Sequence, residues 1–312
     1  MKLPKIGLGT YNQSLNQSEL ISYALKLGYE LIDTAPNYNN GISQREVSKA
    51  LSQCINQTLI STKVGFVSDL DRRDFYIKNG IAKSNDFFKN HCLSKSFVKY
   101  EIEKNLQELG IESIDILFIH NPEQQLEIKS KSDFFYTLSN AIEIIETFCE
   151  QGKVKQYGIS SWDGFGINGK QPTFTLDEIH DIVFKIAGKS NRFRCVQIPL
   201  SIVHYDELYN YAINKSGLLC DAERLSLSIF ANSPLHKGEL LKLIDSEFLR
   251  LFGINNCATA CLLFLKSFQC INTILVGATS KSQIEDNIQI EALPPLSREK
   301  VELILNLLTY GK

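Results

Sequence analysis

The chain has 312 residues, of which 44% are hydrophobic, and a formal net charge of −2 at pH 7. This length suffices to bury a large core, either as one big α/β domain or as two smaller ones. Because positive and negative residues are interspersed, the composition gives no basic surface and argues against nucleic acid or an anionic membrane as a partner.

The amino-terminal residues MKLPKIGLGT contain no apolar stretch long enough for a signal peptide, and no segment approaches the length of a membrane span. The eight cysteines are scattered, mostly within apolar segments, so we expect reduced, buried thiols in a cytoplasmic protein. Cys257 and Cys261 lie four residues apart without a second ligand pair, and no metal site is expected. Four histidines show no ligand spacing and are interpreted as surface or packing residues: His91, His180, His204 and His236.

Short β-branched runs alternate along the chain with longer segments of helical period. Strands are predicted at residues 5–10, 29–35, 58–65, 113–122, 153–162, 193–201, 226–234 and 271–279. Amphipathic helices are predicted between them, for example at residues 17–28, 43–54 and 96–110. Eight strand and helix pairs without a linker predict one α/β domain over residues 1–312, a (β/α)8 TIM barrel. A doubly wound sheet is the rival architecture, but GLGTYN has Asn12 where its third glycine would stand.

Several long, irregular segments follow predicted strands. The longest runs from Phe66 to about Ser96, is polar, and shows no clear period. In a barrel such segments lie on the C-terminal face, where active sites are built. We therefore expect this long loop on that face and hypothesise that it lines or covers a substrate site; the alternative is a surface excursion packed against the outside of the barrel.

Polar side chains stand at the ends of five consecutive predicted strands. A single such residue is typically a cap or a solvated charge, but a whole set on one rim predicts a functional site. A buried lysine would also require a carboxylate partner, and the aspartate on the neighbouring strand is the natural candidate. The residues are Asp33, Lys63, His120, Ser160, Ser161 and Gln197.

In these motifs the chain resembles the aldo-keto reductase superfamily over nearly its whole length. The similar segments are GYELIDTAPNYNNG, ISTKVG and LFIHNP. The resemblance implies a catalytic tetrad of Asp33, Tyr38, Lys63 and His120. It also implies an NADP-dependent oxidoreductase that reduces an aldehyde or ketone to an alcohol by hydride transfer, with Tyr38 as general acid.

The residue types suit this chemistry. A free tyrosine has a pKa of about 10, and we expect the Lys63 ammonium to lower the pKa of Tyr38 while Asp33 keeps the lysine charged. His120 can donate a hydrogen bond that orients the substrate oxygen. The alternatives are a loop aromatic for Tyr38 and a structural hydrogen bond for His120.

The resemblance extends to the cofactor segments GLGTY, YGISSW, VQIPLS, NSPLHKG and GATSKSQIEDN. Ser160, Ser161 and Gln197 suit a nicotinamide carboxamide, and the turn at residues 233–238 suits phosphates. Many family members have asparagine where Ser161 stands. The predicted cofactor-binding residues are Thr10, Tyr11, Asp33, Ser160, Ser161, Gln197, Asn232, Ser233, Leu235, Lys237, Gly238, Thr279, Ser280, Lys281, Gln283, Asp286 and Asn287.

The last of these segments bears on the choice of cofactor. Thr279, Ser280 and Lys281 offer hydroxyls and charge to a 2′-phosphate, which favours NADP, with NAD possible. Gln283 and Asn287 lie one helical turn apart and can face an adenine, although many members have arginine where Gln283 stands. The same segment can equally be an ordinary helix start capped by Thr279 or Ser280.

Two other functions fit parts of the pattern. One is a cofactor-binding regulatory subunit on the same fold, resembling the potassium-channel beta subunits. The other is a Schiff-base lyase with Lys63 as nucleophile, which a charged pair with Asp33 would oppose. The predicted partner is a small-molecule carbonyl or alcohol; the sequence fixes neither the substrate nor the oligomeric state.

Overall fold

The computed structural model describes residues 1–11, 17–54, 57–67, 72–167, 170–242, 244 and 246–310. Eight parallel strands pair in chain order and close into a barrel, which confirms the (β/α)8 prediction and excludes the doubly wound sheet. The strands are β1 (Ile6–Gly9), β2 (Leu31–Asp33), β3 (Leu59–Val64), β4 (Ile114–His120), β5 (Val154–Ser160), β6 (Phe193–Pro199), β7 (Ser228–Asn232) and β8 (Ile271–Val276).

Helices form the outer layer of the barrel. They are α1 (Gln17–Lys26), α2 (Ser43–Leu51), α3 (Arg72–Lys78), α4 (Lys95–Leu109), α5 (Lys131–Glu150), α6 (Leu176–Ala187), α7 (Asp206–Tyr209), α8 (Leu218–Arg224), α9 (Ser246–Phe252), α10 (Cys257–Lys266), α11 (Lys281–Ile288) and α12 (Arg298–Tyr310). Helix α4 shows why the helical period was legible: Val98, Ile102 and Leu109 are buried on one face. The helix ends at Gly110, whose φ of 67° is left-handed and suits glycine.

The barrel interior is a small apolar cluster separate from the larger core between strands and helices. It consists of Leu31, Ile116, Phe118, Cys195, Phe230 and Leu275. Since side chains of a strand alternate between its two faces, residues two positions further along also point into the barrel. That step leads from Leu31 to Asp33, from Phe118 to His120, and from Cys195 to Gln197. The apolar cluster therefore lies directly beneath the polar rim residues inside the barrel.

The long segment after β3 is more ordered than its missing period indicated. It contains α3, and Phe66 and Phe88 each form a bridge with His91. The Tyr76 ring lies 5.1 Å from the Phe97 ring of α4, so this part of the segment packs on the outer helix layer. Phe66, at its start, lies beside His120 instead, with ring centroids 4.9 Å apart. Residues 68–71 of the segment lie outside the described part of the chain.

All eight cysteines fall within the described residues and are free thiols. No helix among these residues has the length and apolar character needed to cross a membrane.

Candidate active site

A buried ion pair stands at the centre of the rim. The Lys63 Nζ atom lies 2.9 and 2.7 Å from the two carboxylate oxygens of Asp33 and 3.0 Å from the Thr34 carbonyl oxygen. These three acceptors match the three N–H groups of an ammonium. Burial lowers the pKa of Lys63, and the carboxylate of Asp33 acts in the opposite direction. A lysine engaged in this way is not a free amine, which argues against the Schiff-base alternative.

The Asp33 carboxylate is also the end of a hydrogen-bonded chain. Gln197 Nε2 donates to Asp33 Oδ1 over 3.1 Å, and Ser160 Oγ donates to Gln197 Oε1 over 2.6 Å. Ser61 Oγ donates to Asp33 Oδ1 as well, at 2.7 Å. Strand register produces this chain, because His120 pairs with Ser160 and Ser160 pairs with Gln197 at one level of the barrel. The structure thus brings Asp33, Ser160 and Gln197 together at this level of the rim.

Tyr38 is the first residue of a 3-10 turn, Tyr38–Gly41, that follows β2. The Lys63 ammonium lies 4.9 Å from its ring centroid, and the Tyr11 ring meets it edge-on at 5.1 Å. Removal from solvent, the Asp33 charge and Tyr11 raise the pKa of Tyr38 well above its ordinary value. Our expectation of a lowered pKa was therefore wrong, because burial of the phenol has the largest effect and the Asp33 charge acts in the same direction.

The His120 side chain completes the group at the end of β4. Its ring centroid lies 6.2 Å from that of Tyr38, at an interplanar angle of 82°. Burial and the neighbouring Lys63 charge hold the pKa of His120 well below its usual range, so the imidazole is neutral. Within the described residues, His120 Nδ1 is buried and has no hydrogen-bond partner. The alternative of a structural hydrogen bond through this nitrogen thus finds no support.

Two predicted cofactor residues are occupied by contacts within the protein. Ser161 Oγ accepts a hydrogen bond from the Gly164 N–H at 2.8 Å, which closes the turn after β5. Thr10 is fully buried, and its hydroxyl donates to the Asp33 carbonyl oxygen over 3.1 Å. Both residues therefore shape the backbone around the site in this structure.

The turn after β7 brings the predicted phosphate-binding segment to the same rim. Asn232 ends β7, and its buried Oδ1 has no partner among the described residues. The backbone then turns through left-handed conformations at Ser233, Lys237 and Gly238, with φ values of 52°, 58° and 87°. Leu235 is partly buried against the core. Lys237 Nζ lies 5.2 Å from the Tyr11 ring centroid, so this turn reaches back to the loop after β1.

Helix α11 begins as a capped helix, as the alternative interpretation expected. Ser280 is its N-cap and accepts from the Gln283 N–H, while Gln283 Oε1 accepts from the Thr279 N–H at 2.7 Å. Lys281 Nζ lies 5.1 Å from the Tyr23 ring centroid. Two further predicted residues lie later in the helix: Asp286, which accepts a bond of 3.3 Å from Asn256, and Asn287, which is buried.

The sequence of the chain has recognisable relatives. The sequence profile of the Aldo/keto reductase family matches residues 5–308. The chain belongs to the aldo/keto reductase family. This member is 26% identical to the NADH-specific methylglyoxal reductase of Escherichia coli (strain K12), across 92% of this chain and 89% of the relative. It is 26% identical to the D-threo-aldose 1-dehydrogenase of a Pseudomonas species, across 94% of this chain and 91% of the relative.

Solved structures support the same fold for this aldo/keto reductase. The holo form of an aldo-keto reductase from Bacillus halodurans superimposes with a TM-score of 0.69 at 19% identity, covering 98% of this chain and 92% of that one. An aldo-keto reductase from a Medee basin deep-sea metagenome library gives 0.68 at 18% identity, covering 100% and 93%. The family assignment makes the chain an NAD(P)H-dependent oxidoreductase acting on a carbonyl and alcohol pair.

Three residues beside Tyr38, Lys63 and His120 were not among the site residues predicted from the sequence. Phe66 packs against the His120 ring; His91, assigned only a surface or packing role, binds the His120 carbonyl oxygen at 2.8 Å; and Gln125 binds His91. None carries a motif. The available signal was a lone histidine within a long segment that follows a barrel strand.

Proposed function

We propose that this protein is an NADP-dependent reductase of a small aldehyde or ketone, with Tyr38 as the proton donor. The observation that carries the proposal is the group of Tyr38 and His120 around the buried Lys63–Asp33 pair at the C-terminal end of one barrel. A phenol, a neutral imidazole and a charge-compensated ammonium at one point suit proton transfer to a carbonyl oxygen.

Tyr38 would act in reduction as a protonated acid. Like a free tyrosine, whose pKa is about 10, Tyr38 is protonated at neutral pH, and its raised pKa keeps it so until a substrate oxygen gains negative charge. As the substrate carbonyl carbon gains a hydride, its oxygen becomes negatively charged and takes the proton from Tyr38. The Lys63 ammonium 4.9 Å from the ring centroid then favours the phenolate that is left. His120, neutral and therefore carrying one N–H, can donate to the same oxygen.

The rim offers groups that fit a nicotinamide dinucleotide. Bound there, the cofactor would supply the hydride. Asn232 Oδ1 is a buried acceptor without a partner among the described residues, and Asn232 pairs with Pro199, two residues beyond Gln197 on the neighbouring strand. A β-carbon added at Gly238 would meet nothing within 4 Å, so ligand phosphates have room to approach the backbone on that side. Ser160 and Gln197 would meet the carboxamide, and Lys237 the phosphates.

The preference for NADP rests on the start of α11. Ser280 and Lys281 lie there beside Thr279, and the helix N-terminus favours an anion. Related proteins differ on this point: the Escherichia coli relative is named NADH-specific, whereas the related D-xylose reductase of Candida boidinii is named NADPH-dependent. Gln283 is engaged with Thr279 in the cap and would have to release it to contact an adenine.

The deciding experiment compares the wild type with Tyr38→Phe and with Tyr136→Phe, a control at a tyrosine that is 72% exposed. Binding of NADPH and NADH is first titrated by fluorescence, and a panel of carbonyl compounds is then followed through NADPH consumption. Tyr38→Phe should lower turnover by a factor of about 10²–10⁴ while NADPH affinity stays nearly unchanged. Near-normal turnover of Tyr38→Phe would show that another group donates the proton.

We also propose that the start of the segment at residues 66–96 lines the substrate site. Phe66 supports this, because its ring packs on His120 and is only partly buried. The part of the segment that includes Tyr76 packs against α4 and would act on the substrate only indirectly.

A further inference from the structure

His91 occupies an unusual position for a residue outside the tetrad. It lies in the segment after β3 and is fully buried, yet both of its ring nitrogens have polar partners. His91 Nε2 lies 2.8 Å from the His120 carbonyl oxygen, and His91 Nδ1 lies 3.0 Å from Gln125 Nε2. The imidazole therefore joins its own segment to the end of β4 and to the turn that follows it.

The partners fix which nitrogen carries the proton. A carbonyl oxygen only accepts, so His91 Nε2 must donate to His120; the Gln125 amide nitrogen donates, so His91 Nδ1 must accept. The same Gln125 nitrogen also donates to the His91 carbonyl oxygen at 2.9 Å, which holds the ring and backbone together. Burial lowers the pKa of His91 to about 4, in agreement with a neutral ring near neutral pH.

The backbone packs closely around the contact between His91 Nε2 and the His120 carbonyl oxygen. Gly65 follows β3 directly and has a φ of 136°, a value that side chains rarely adopt. A β-carbon at Gly65 would lie 2.9 Å from both the His120 carbonyl oxygen and His91 Nε2. Glycine is thus what allows β3, the His91 ring and the end of β4 to meet at one point.

The His120 side chain has few other supports. Its Nδ1 has no partner among the described residues, so no hydrogen bond at this nitrogen orients the ring. Its ring contacts are edge-on, with Phe66 at 4.9 Å and Tyr38 at 6.2 Å between centroids. Phe66 in turn packs on His91 at 4.8 Å. His91 therefore acts on both the backbone of His120 and the aromatic ring that supports its side chain.

We propose that His91, held in one tautomer by Gln125, is a positioning residue that sets the orientation of the His120 imidazole toward the substrate oxygen. This inference rests on the proposed role of His120 in carbonyl reduction. A displacement of about 1 Å of a group that orients the substrate can cost on the order of 10²-fold in rate, so this support bears on turnover more than on cofactor binding.

Three variants and a control test the inference in the full-length protein. His91→Phe keeps a ring but removes both hydrogen bonds, whereas His91→Gln places an amide N–H near the position of Nε2. Gln125→Met keeps the length of the side chain and frees the tautomer, which covers the case in which His91→Phe does not fold. Tyr76→Phe is the control, because it removes a buried hydrogen bond to Glu101 from the same segment without touching His120.

In His91→Phe, kcat should fall on the order of 10²-fold with little change in KM or in NADPH affinity. Gln125→Met should lower kcat to a smaller extent, and His91→Gln should recover most of it. Tyr76→Phe should lower the unfolding temperature and leave kcat intact. Equal losses of stability with unchanged kcat in His91→Phe and Gln125→Met would overturn the inference and leave His91 a packing residue.

A readout independent of turnover is the ¹⁵N and ¹H NMR spectrum of the His120 ring in the cofactor-free protein. The His120 signals should shift or broaden in His91→Phe and stay in place in Tyr76→Phe. If the His120 signals change in His91→Phe but the wild type shows no carbonyl turnover, the proposed function fails while the positioning contact stands. An active wild type with His120 signals unmoved by His91→Phe refutes the positioning role alone.

Discussion

Replacing Lys63 with methionine tests whether the buried pair behaves as a single unit. The substitution leaves the Asp33 carboxylate buried, with the hydrogen bonds from Ser61 and Gln197 as its remaining side-chain support. Removing one partner of a buried pair typically costs about 3–5 kcal/mol, because the other charge is left uncompensated. We expect the free energy of unfolding of Lys63→Met to fall by that amount.

The second half of the test removes the negative charge of Asp33 that Lys63→Met leaves without a partner. In the double variant Lys63→Met with Asp33→Asn, the asparagine oxygen can still accept from Ser61 and Gln197. Its new N–H group can face the Thr34 carbonyl oxygen, which Lys63 Nζ contacts at 3.0 Å in the wild type. The double variant should therefore be more stable than Lys63→Met alone, a strongly non-additive result.

Urea unfolding of the wild type, the two single variants and the double variant, followed by far-ultraviolet circular dichroism, measures the coupling. Carbonyl turnover should be lost in every variant, so stability and chemistry are separated within one series. If the double variant loses as much stability as the two single variants added together, Asp33 and Lys63 are not energetically coupled and do not act as a single buried pair.

Three further outcomes are expected. Lys281→Ala should narrow the gap between NADPH and NADH affinity, and equal affinities in the wild type would contradict the preference for NADP. Exchange of residues 72–87 for a short turn should change KM more than NADPH affinity, and an unchanged substrate profile in a folded protein would assign this part to packing alone. The pKa of His91 is about 4 in the folded protein and about 6.5 in the unfolded chain, so the free energy of unfolding should fall as pH drops from 6.5 to 4. Between pH 7 and pH 5, urea titrations should show the wild type losing about 2 kcal/mol more of this free energy than His91→Gln.

Much of the fold was predictable because it depends on short-range patterns. Strand and helix periods repeat eight times, and the period of two that makes Phe118 an interior residue also points His120 into the mouth. The pairing of Asp33 with Lys63 followed from the cost of a buried charge. These inferences need only the strand order and the alternation of side chains.

The remaining features depend on contacts between distant segments. The lowered pKa expected for Tyr38 was wrong because the expectation counted the Lys63 charge and left out the burial of the phenol and the nearby Asp33 charge. Helix α3 was not predicted because it is only seven residues long and buries Tyr76, so the sequence shows no repeated hydrophobic period there. The role of His91 was out of reach, since its contacts with His120 and Gln125 join residues 29 and 34 positions apart.

The hydrogen bond from Gln197 to Asp33 joins β6 to β2, which lie on opposite sides of an eight-stranded ring. This hydrogen bond crosses the barrel interior above the apolar cluster that contains Phe118 and Phe230. A ligand that entered from the rim would meet this hydrogen bond before it reached the apolar cluster. The two half-barrels, β1 to β4 and β5 to β8, also share this cross-brace. If the chain were cut between these halves, the half that contains Asp33 and Lys63 would lose the hydrogen bond that the Gln197 amide donates to Asp33.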